Sequence, residues 1–279
     1  MPEITFTLDL EDHQPDHFTE SNYASITKNV LSALLQRNAH ATIFVLGELA
    51  YNNPELIEYI ADKGHEVAYH SYRHTPLTHE DPSRFMSETD KFKNYIHEIC
   101  GVEIKGFRAP VFSLTNKTTW VLDSLKQLGF VYSSSVLPGG SPLYGFPDAP
   151  KHPFKWGNGI IELPAPIHNI GPVALPFLGG IYFRYIPLFL IKQFVKSMSS
   201  EIMPWIYCHP HDFDYKQPYF RILETSHLVS LLLWFNRKNT NLKLFKFLDS
   251  GVVELEKRSL LQQVEDGKFD SVPVFSKSI

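Results

Sequence analysis

Four short apolar runs in this chain each end in ionisable side chains. Residues 4–10 lead to Asp9, Glu11 and Asp12, residues 66–69 to His70 and His74, residues 102–107 to Arg108, and residues 203–208 to His209. Between them lie stretches with helical spacing. Residues 23–37 repeat apolar side chains at Ile26, Val30, Leu34 and Leu35, residues 54–63 open at Pro54 and stop at Gly64, residues 81–100 open at Asp81-Pro82 and stop at Gly101, and residues 115–128 close at Gly129. Residues 40–47 supply a further strand. Strand and helix in alternation imply parallel strands in one large α/β domain, with the chemistry collected at the C-terminal ends of the strands.

The second half reads less regularly. Residues 138–159 are rich in Pro, Gly and aromatics and suggest an extended loop over the active face, where a substrate groove could be lined. Residues 160–164 read as a strand and 185–197 as one helix with Pro187 in its first turn. The strongly apolar stretch 224–236 is expected as a helix packed on the barrel, and 242–245 as a last strand. Residues 1–256 then form a single catalytic barrel, and the polar segment 257–279 a loosely ordered tail.

A net charge of −4 with scattered lysines and arginines offers no basic face for a phosphate backbone, so nucleic acid is not an expected partner. The two cysteines, Cys100 and Cys208, form neither a disulfide framework nor a Cys-rich zinc site. Met1-Pro2-Glu3 leads straight into a strand, without the basic start and long apolar core of an export signal, so a cytoplasmic chain is expected. Tyr182, Phe183, Tyr185 and Phe189 cluster in an apolar segment too short to span a bilayer, which leaves a peripheral membrane contact open. The oligomeric state is not readable.

His70 and His74, four apart, can grip one divalent cation if the chain enters a helical turn there, and a carboxylate from the N-terminal strand would complete three protein ligands. Strand alternation puts Glu11 on the same face as Asp9, but a strand that breaks there could turn Asp12 inward instead. Both acids stay open as ligands. Gly179-Gly180 reads as a tight turn presenting Tyr182 and Arg184, either for ligand contact or for packing. His65 and His211 read as loop or surface residues.

Taken in order, the paired acids of Asp9-Leu10-Glu11-Asp12, His70-Ser71-Tyr72-Arg73-His74, Arg108-Ala109-Pro110 and the late His209 resemble the polysaccharide deacetylase superfamily, the NodB-like carbohydrate esterases. Ser134-Ser135-Val136, Gly179 to Arg184, and His209 to Asp214 followed by Gln217-Pro218 look like the branch encoded with exopolysaccharide and surface-glycan synthesis. The resemblance implies a deformed (β/α) barrel of about seven strands and one divalent metal, zinc by preference. It implies Asp9 as general base, His70 and His74 as metal ligands with Glu11 or Asp12, Arg108 as partner of the base and His209 as general acid. The backbone N–H of Val111 would hold the oxyanion, and Tyr182 and Arg184 would meet substrate. The aspartate and tryptophan motif that orients the acid histidine in many relatives has no evident counterpart in this sequence, and Glu162, Asp212 and Asp214 are substitutes by position only.

The activity so implied is N-deacetylation of a hexosamine in a glycan or its precursor. Two other functions remain: opening of a cyclic amide or imide, as in allantoinase-like barrels, and catalytically silent glycan binding or assembly.

Overall fold

The computed structural model describes residues 1–12, 21–140, 144–171, 173–222 and 226–275. Its strands are β1 (Glu3–Leu10), β2 (Thr42–Val45), β3 (Glu66–Tyr69), β4 (Gly106–Phe107), β5 (Tyr132–Ser133), β6 (Phe154–Trp156), β7 (Ile161–Glu162), β8 (His168–Ile170), β9 (Val173–Leu175), β10 (Trp205–Cys208), β11 (Glu254–Leu255) and β12 (Val274–Phe275). The helices are α1 (Tyr23–Leu35), α2 (Gly47–Asn52), α3 (Pro54–Asp62), α4 (Pro82–Cys100), α5 (Trp120–Gln127), α6 (Gly180–Tyr185), α7 (Leu188–Lys196), α8 (Pro210–Phe213), α9 (His227–Trp234), α10 (Arg237–Leu248) and α11 (Leu260–Glu265).

From Ile4 onward β1 is buried along its whole length, as a strand covered on both faces must be. Its two faces differ in chemistry. Ile4, Phe6, Leu8 and Leu10 join the main apolar core, whereas Thr5 bonds to Gln263 and Thr7 and Asp9 bond to Arg108. Parallel pairing continues in the order β10-β1-β2-β3-β4-β5-β7, and the Trp205 indole N–H at the start of β10 donates to Pro164 O, just past β7, at 3.0 Å. The sheet therefore curls into a deformed α/β barrel of seven parallel strands. β6 adds antiparallel to β7, β12 pairs with β6, and β11 pairs with the start of β1.

Helix boundaries follow the expected signals where those are strong. Asp81 accepts from Arg84 N at 2.9 Å to cap α4, and Gly101 ends it in the left-handed conformation at φ 68°. Elsewhere the structure departs from the sequence reading. The segment 185–197 is two helices, because Ile186 is extended before Pro187. Residues 242–245, expected as a strand, lie inside α10, where Thr240, Leu244, Phe247 and Leu248 are buried at helical spacing. The loop 138–159 contains β6, whose Phe154 and Trp156 enter the core.

The helix expected at 224–236, packed on the barrel, is α9, whose leucines are largely exposed; Glu224 lies outside the described residues. The expected tail is also different. Within 257–275, α11 seals the N-terminal end of the barrel: Leu260 N donates to Thr42 Oγ1 and Leu261 N to the Glu66 carboxylate, both at 2.9 Å. Leu260 and Phe269 pack there on Phe44, Ala68, Tyr132, Ile161 and Leu163. Residues 276–279 lie outside the described residues.

His65 is buried as well, not on the surface. Its Nδ1 accepts from Ala41 N at 3.0 Å, and burial together with His40 lowers its pKa from the ordinary 6.5 to about 4. A histidine kept neutral by folding contributes full stability above its unfolded pKa and loses it as protons bind the unfolded chain first. We expect stability to fall between pH 6.5 and about 4 by on the order of 2–3 kcal/mol from this residue. Urea denaturation at those two pH values, on wild type and His65→Gln, checks it; an identical pH slope in the variant contradicts it.

Candidate active site

At the C-terminal end of β1, Asp9 and Glu11 lie two residues apart on the face that points into the barrel mouth, both buried. Arg108, delivered by β4, is fully buried beneath them. It donates to Asp9 Oδ1 at 2.6 Å and Thr7 Oγ1 at 2.8 Å through Nη1, to Ser134 Oγ at 3.0 Å through Nη2 and to Ser134 O at 3.2 Å through Nε. Its guanidinium lies between the rings of Phe44 and Trp205, at 4.0 and 4.3 Å from their centroids. The serine run after β5 is itself held, since Glu162 accepts from Ser135 N and Val136 N at 2.7 and 2.9 Å and from the Trp156 indole at 3.1 Å.

The histidine loop follows β3. It is not the helical turn considered from sequence: Ser71 and His74 are both left-handed, at φ 72° and 59°. The first backbone N–H groups of α2, a helix the sequence reading omitted, bind its carbonyls, Gly47 N to Ser71 O and Glu48 N to Tyr72 O at 3.0 Å. His74 so returns to His70. Their Nε2 atoms lie 2.9 and 3.1 Å from the same oxygen, Glu11 Oε1.

His70 Nδ1 lies 2.8 Å from Arg108 O, an acceptor only, so that nitrogen carries the hydrogen. A neutral ring then turns the lone pair of Nε2 toward a carboxylate oxygen, an arrangement relieved by a proton or a cation between them. The donor set fits a divalent cation on these grounds. Glu11, His70 and His74 place one ligand atom each within 4.8 Å of one another. Burial alone would raise the Glu11 pKa, but His74, His209 and His70 hold it well below the usual carboxylate range. Asp12 is not in that set among the described residues. It is half-buried, lining a small pocket with Tyr23, Ile26 and Pro210.

Beyond β10, His209 Nε2 lies 3.8 Å from Glu11 Oε1 and 3.9 Å from Asp9 Oδ2. Its Nδ1 lies 3.2 Å from Asp212 Oδ2, which also accepts His209 N at 2.8 Å as the cap of α8. The candidate acid is thereby oriented by Asp212, and the i, i+3 spacing of a capping box was the signal in the sequence. Burial would lower the His209 pKa, but Glu11, Asp212 and Asp9 outweigh it and push it up to about 9. His211, expected on the surface, is buried and stacked on His209 with ring centroids 4.9 Å apart.

Arg184 is not presented to substrate. It is fully buried and donates to Asp212 Oδ1 and to the carbonyl of Leu233. Burial would raise the Asp212 pKa, yet Arg184 and the two histidines hold it well below its ordinary range. Gly180 belongs to the same cradle, because a Cβ there would run into the Asp212 carboxylate. Tyr182 is half-buried against Leu137, Trp205 and Tyr207. Val111 is 41 % exposed and left-handed at φ 49°, strain of about 1–3 kcal/mol for a β-branched residue.

Residues 11–133 match the family model described as polysaccharide deacetylase, and residues 134–253 one described as a domain of unknown function, DUF3473. The division falls between Ser133 and Ser134, inside the cradle of Arg108, so both stretches build one site. A peptidoglycan-N-acetylglucosamine deacetylase of Bacillus cereus is 28% identical over 107 residues, 38% of this chain and 39% of that protein. The chain thus matches about two-fifths of that relative's length. A Mycobacterium smegmatis protein assigned to the polysaccharide deacetylases superposes with a TM-score of 0.65 at 18% identity, covering 99% of this chain and 93% of that one. A CE4 family pseudoenzyme from Bacillus anthracis superposes with a TM-score of 0.51 at 13% identity, over 93% of this chain and 64% of that one. At these identities the likeness is one of fold, and chemistry has to be judged from the site.

Removing the Arg184 charge leaves Asp212 buried without its guanidinium. We expect Arg184→Met to destabilise the protein by about 3–5 kcal/mol in urea, and Arg184→Met/Asp212→Asn to recover part of that. A single variant within about 1 kcal/mol of wild type contradicts the pairing.

Proposed function

We propose, from the match of residues 11–133 to the polysaccharide deacetylase model, that the chain is a metal-dependent carbohydrate N-deacetylase. It hydrolyses the N-acetyl group of a hexosamine in a glycan or glycan precursor of the surface-polysaccharide kind, releasing acetate and a free amine. The observation that carries the reading is the convergence of Glu11, His70 and His74 on one point, with Asp9 and His209 beside it at 3.9 Å from each other.

Glu11, His70 and His74 would hold the zinc, which when bound would supply Lewis-acid polarisation of the acetyl oxygen and a lowered pKa for the attacking water. Asp9 takes that water's proton at Oδ2, its Oδ1 being held by Arg108. The backbone N–H of Val111 donates to the acetyl oxygen as charge develops there. His209 gives the Nε2 proton to the departing nitrogen while Asp212 keeps the ring in place. The carbon–nitrogen bond breaks, a carbon–oxygen bond forms, and the amine leaves neutral instead of as an anion.

Acetate release from N-acetylglucosamine oligomers by the zinc-loaded protein tests this. We expect turnover by wild type and a loss of about 10²–10⁴-fold in His209→Ala and in Asp9→Asn. Hydrolysis of allantoin or an imide in place of the oligomers would move the chain to the cyclic amidases. Binding of the oligomers without any hydrolysis would make it a silent glycan-binding protein.

A further inference from the structure

The α9 sequence is His-Leu-Val-Ser-Leu-Leu-Leu-Trp, and Ser230 is its only buried residue. Leu228 is 66 % exposed, Val229 41 %, Leu231 46 %, Leu232 42 %, and Phe235 just beyond the helix 54 %. A surface helix ordinarily turns its apolar stripe inward, whereas α9 turns it out.

The helix is tied down by polar groups. Arg184 donates to the carbonyls of Leu232 and Leu233, the Tyr185 hydroxyl to Leu232 O at 2.6 Å, and the Trp234 indole to Gln217 O at 2.9 Å. Ser230 Oγ accepts Ile222 N at 3.1 Å. With its backbone so held, the leucines point outward as a fixed feature. Tyr185 at the end of α6, Phe189 in α7 and Leu242 in α10 are exposed apolar residues as well, and Lys243 of α10 is tied to the end of α6 by donating to Arg184 O and Ile186 O.

Charge identifies what covers it. The chain as a whole carries −4, yet residues 215–248 hold Lys216, Arg221, Arg237, Lys238, Lys243 and Lys246 against the single carboxylate Glu224. Lys216, Arg221, Lys238 and Lys246 are exposed, and Lys238 and Lys246 flank the exposed Leu242 four residues away on either side of it along α10. Tyr219 meets Trp234 edge-on with centroids 5.6 Å apart, the kind of amphipathic ring pair that suits a lipid–water boundary.

We propose that α9 and its flanks dock the protein on an anionic lipid bilayer, with the leucines at the acyl boundary and the cations on the headgroups. Among the described residues no helix is long and apolar enough to cross a membrane, so this contact lies in the plane of the surface. A second copy of the chain fits less well, because a two-fold contact would set one cationic rim against another. The proposal does not depend on the deacetylase reading.

Flotation of the full chain with vesicles of phosphatidylcholine mixed with phosphatidylglycerol, beside vesicles of phosphatidylcholine alone, tests it. We expect binding to the mixed vesicles about tenfold above the neutral ones, weakened by salt. Leu228→Glu/Leu231→Glu is expected to abolish binding and leave the circular dichroism and thermal midpoint unchanged. Lys238→Glu/Lys246→Glu, which alters no apolar contact, is expected to reduce binding to the neutral-vesicle level, so the test survives a folding defect in the first variant. Failure of wild type to float, or equal flotation with both vesicle types, overturns the proposal. So does a dimer in analytical ultracentrifugation that the leucine variant dissolves while neither protein floats.

Discussion

The guanidinium of Arg108 is the peg around which the mouth of the barrel is assembled. It reaches Thr7 and Asp9 from β1, Phe44 from β2, Ser134 after β5 and Trp205 from β10, and is itself supplied by β4. A buried cation is tolerated only when its hydrogens are bonded and its charge is answered, and here the answer is a candidate catalytic carboxylate. Fold and site are therefore set by the same contacts. The Asp9 oxygen that Arg108 does not take is left facing His209 at the mouth.

The parallel strands and the polar cluster at their ends were legible because each signal is local. Alternation along residues 4–11 places Asp9 and Glu11 together, Asp81 and Gly101 mark the two ends of α4, and the histidine spacing survives even though the loop is not helical. Alternation also bore on the choice between acids, since among the described residues it is Glu11, not Asp12, that groups with the two histidines. What failed depended on partners distant in sequence. Arg184, open in the sequence to substrate contact or to packing, is packed, because it meets Asp212 and the carbonyls of α9. The polar composition after residue 257 suggested a loose tail, whereas its polar groups are the ones that satisfy Thr5, Thr42 and Glu66 inside the barrel. Among the described residues Leu242 to Phe245 pairs with no strand, and burial at 240, 244, 247 and 248 follows the helical spacing instead.

A second buried guanidinium repeats the logic of the first at the rim. Arg184 holds Asp212 with one side of its fork and α9 with the other, so the residue that orients His209 and the exposed apolar helix share one anchor. The opposite end of the barrel is closed by α11, where Glu66 accepts from Thr42 and Tyr132 at 2.6 Å. One end is thus sealed and hydrogen-bonded, and the other carries strained loops at Ser71, His74 and Val111.

Glu11, with His70 and His74, forms the proposed site for a divalent cation. Isothermal titration of the metal-free protein with zinc chloride tests it directly when wild type, Glu11→Gln and Asp12→Asn are run side by side. The account requires one zinc per chain in wild type and in Asp12→Asn, and none in Glu11→Gln. Zinc retained by Glu11→Gln and lost from Asp12→Asn would contradict it, and with it the arrangement of base, acid and cation drawn here.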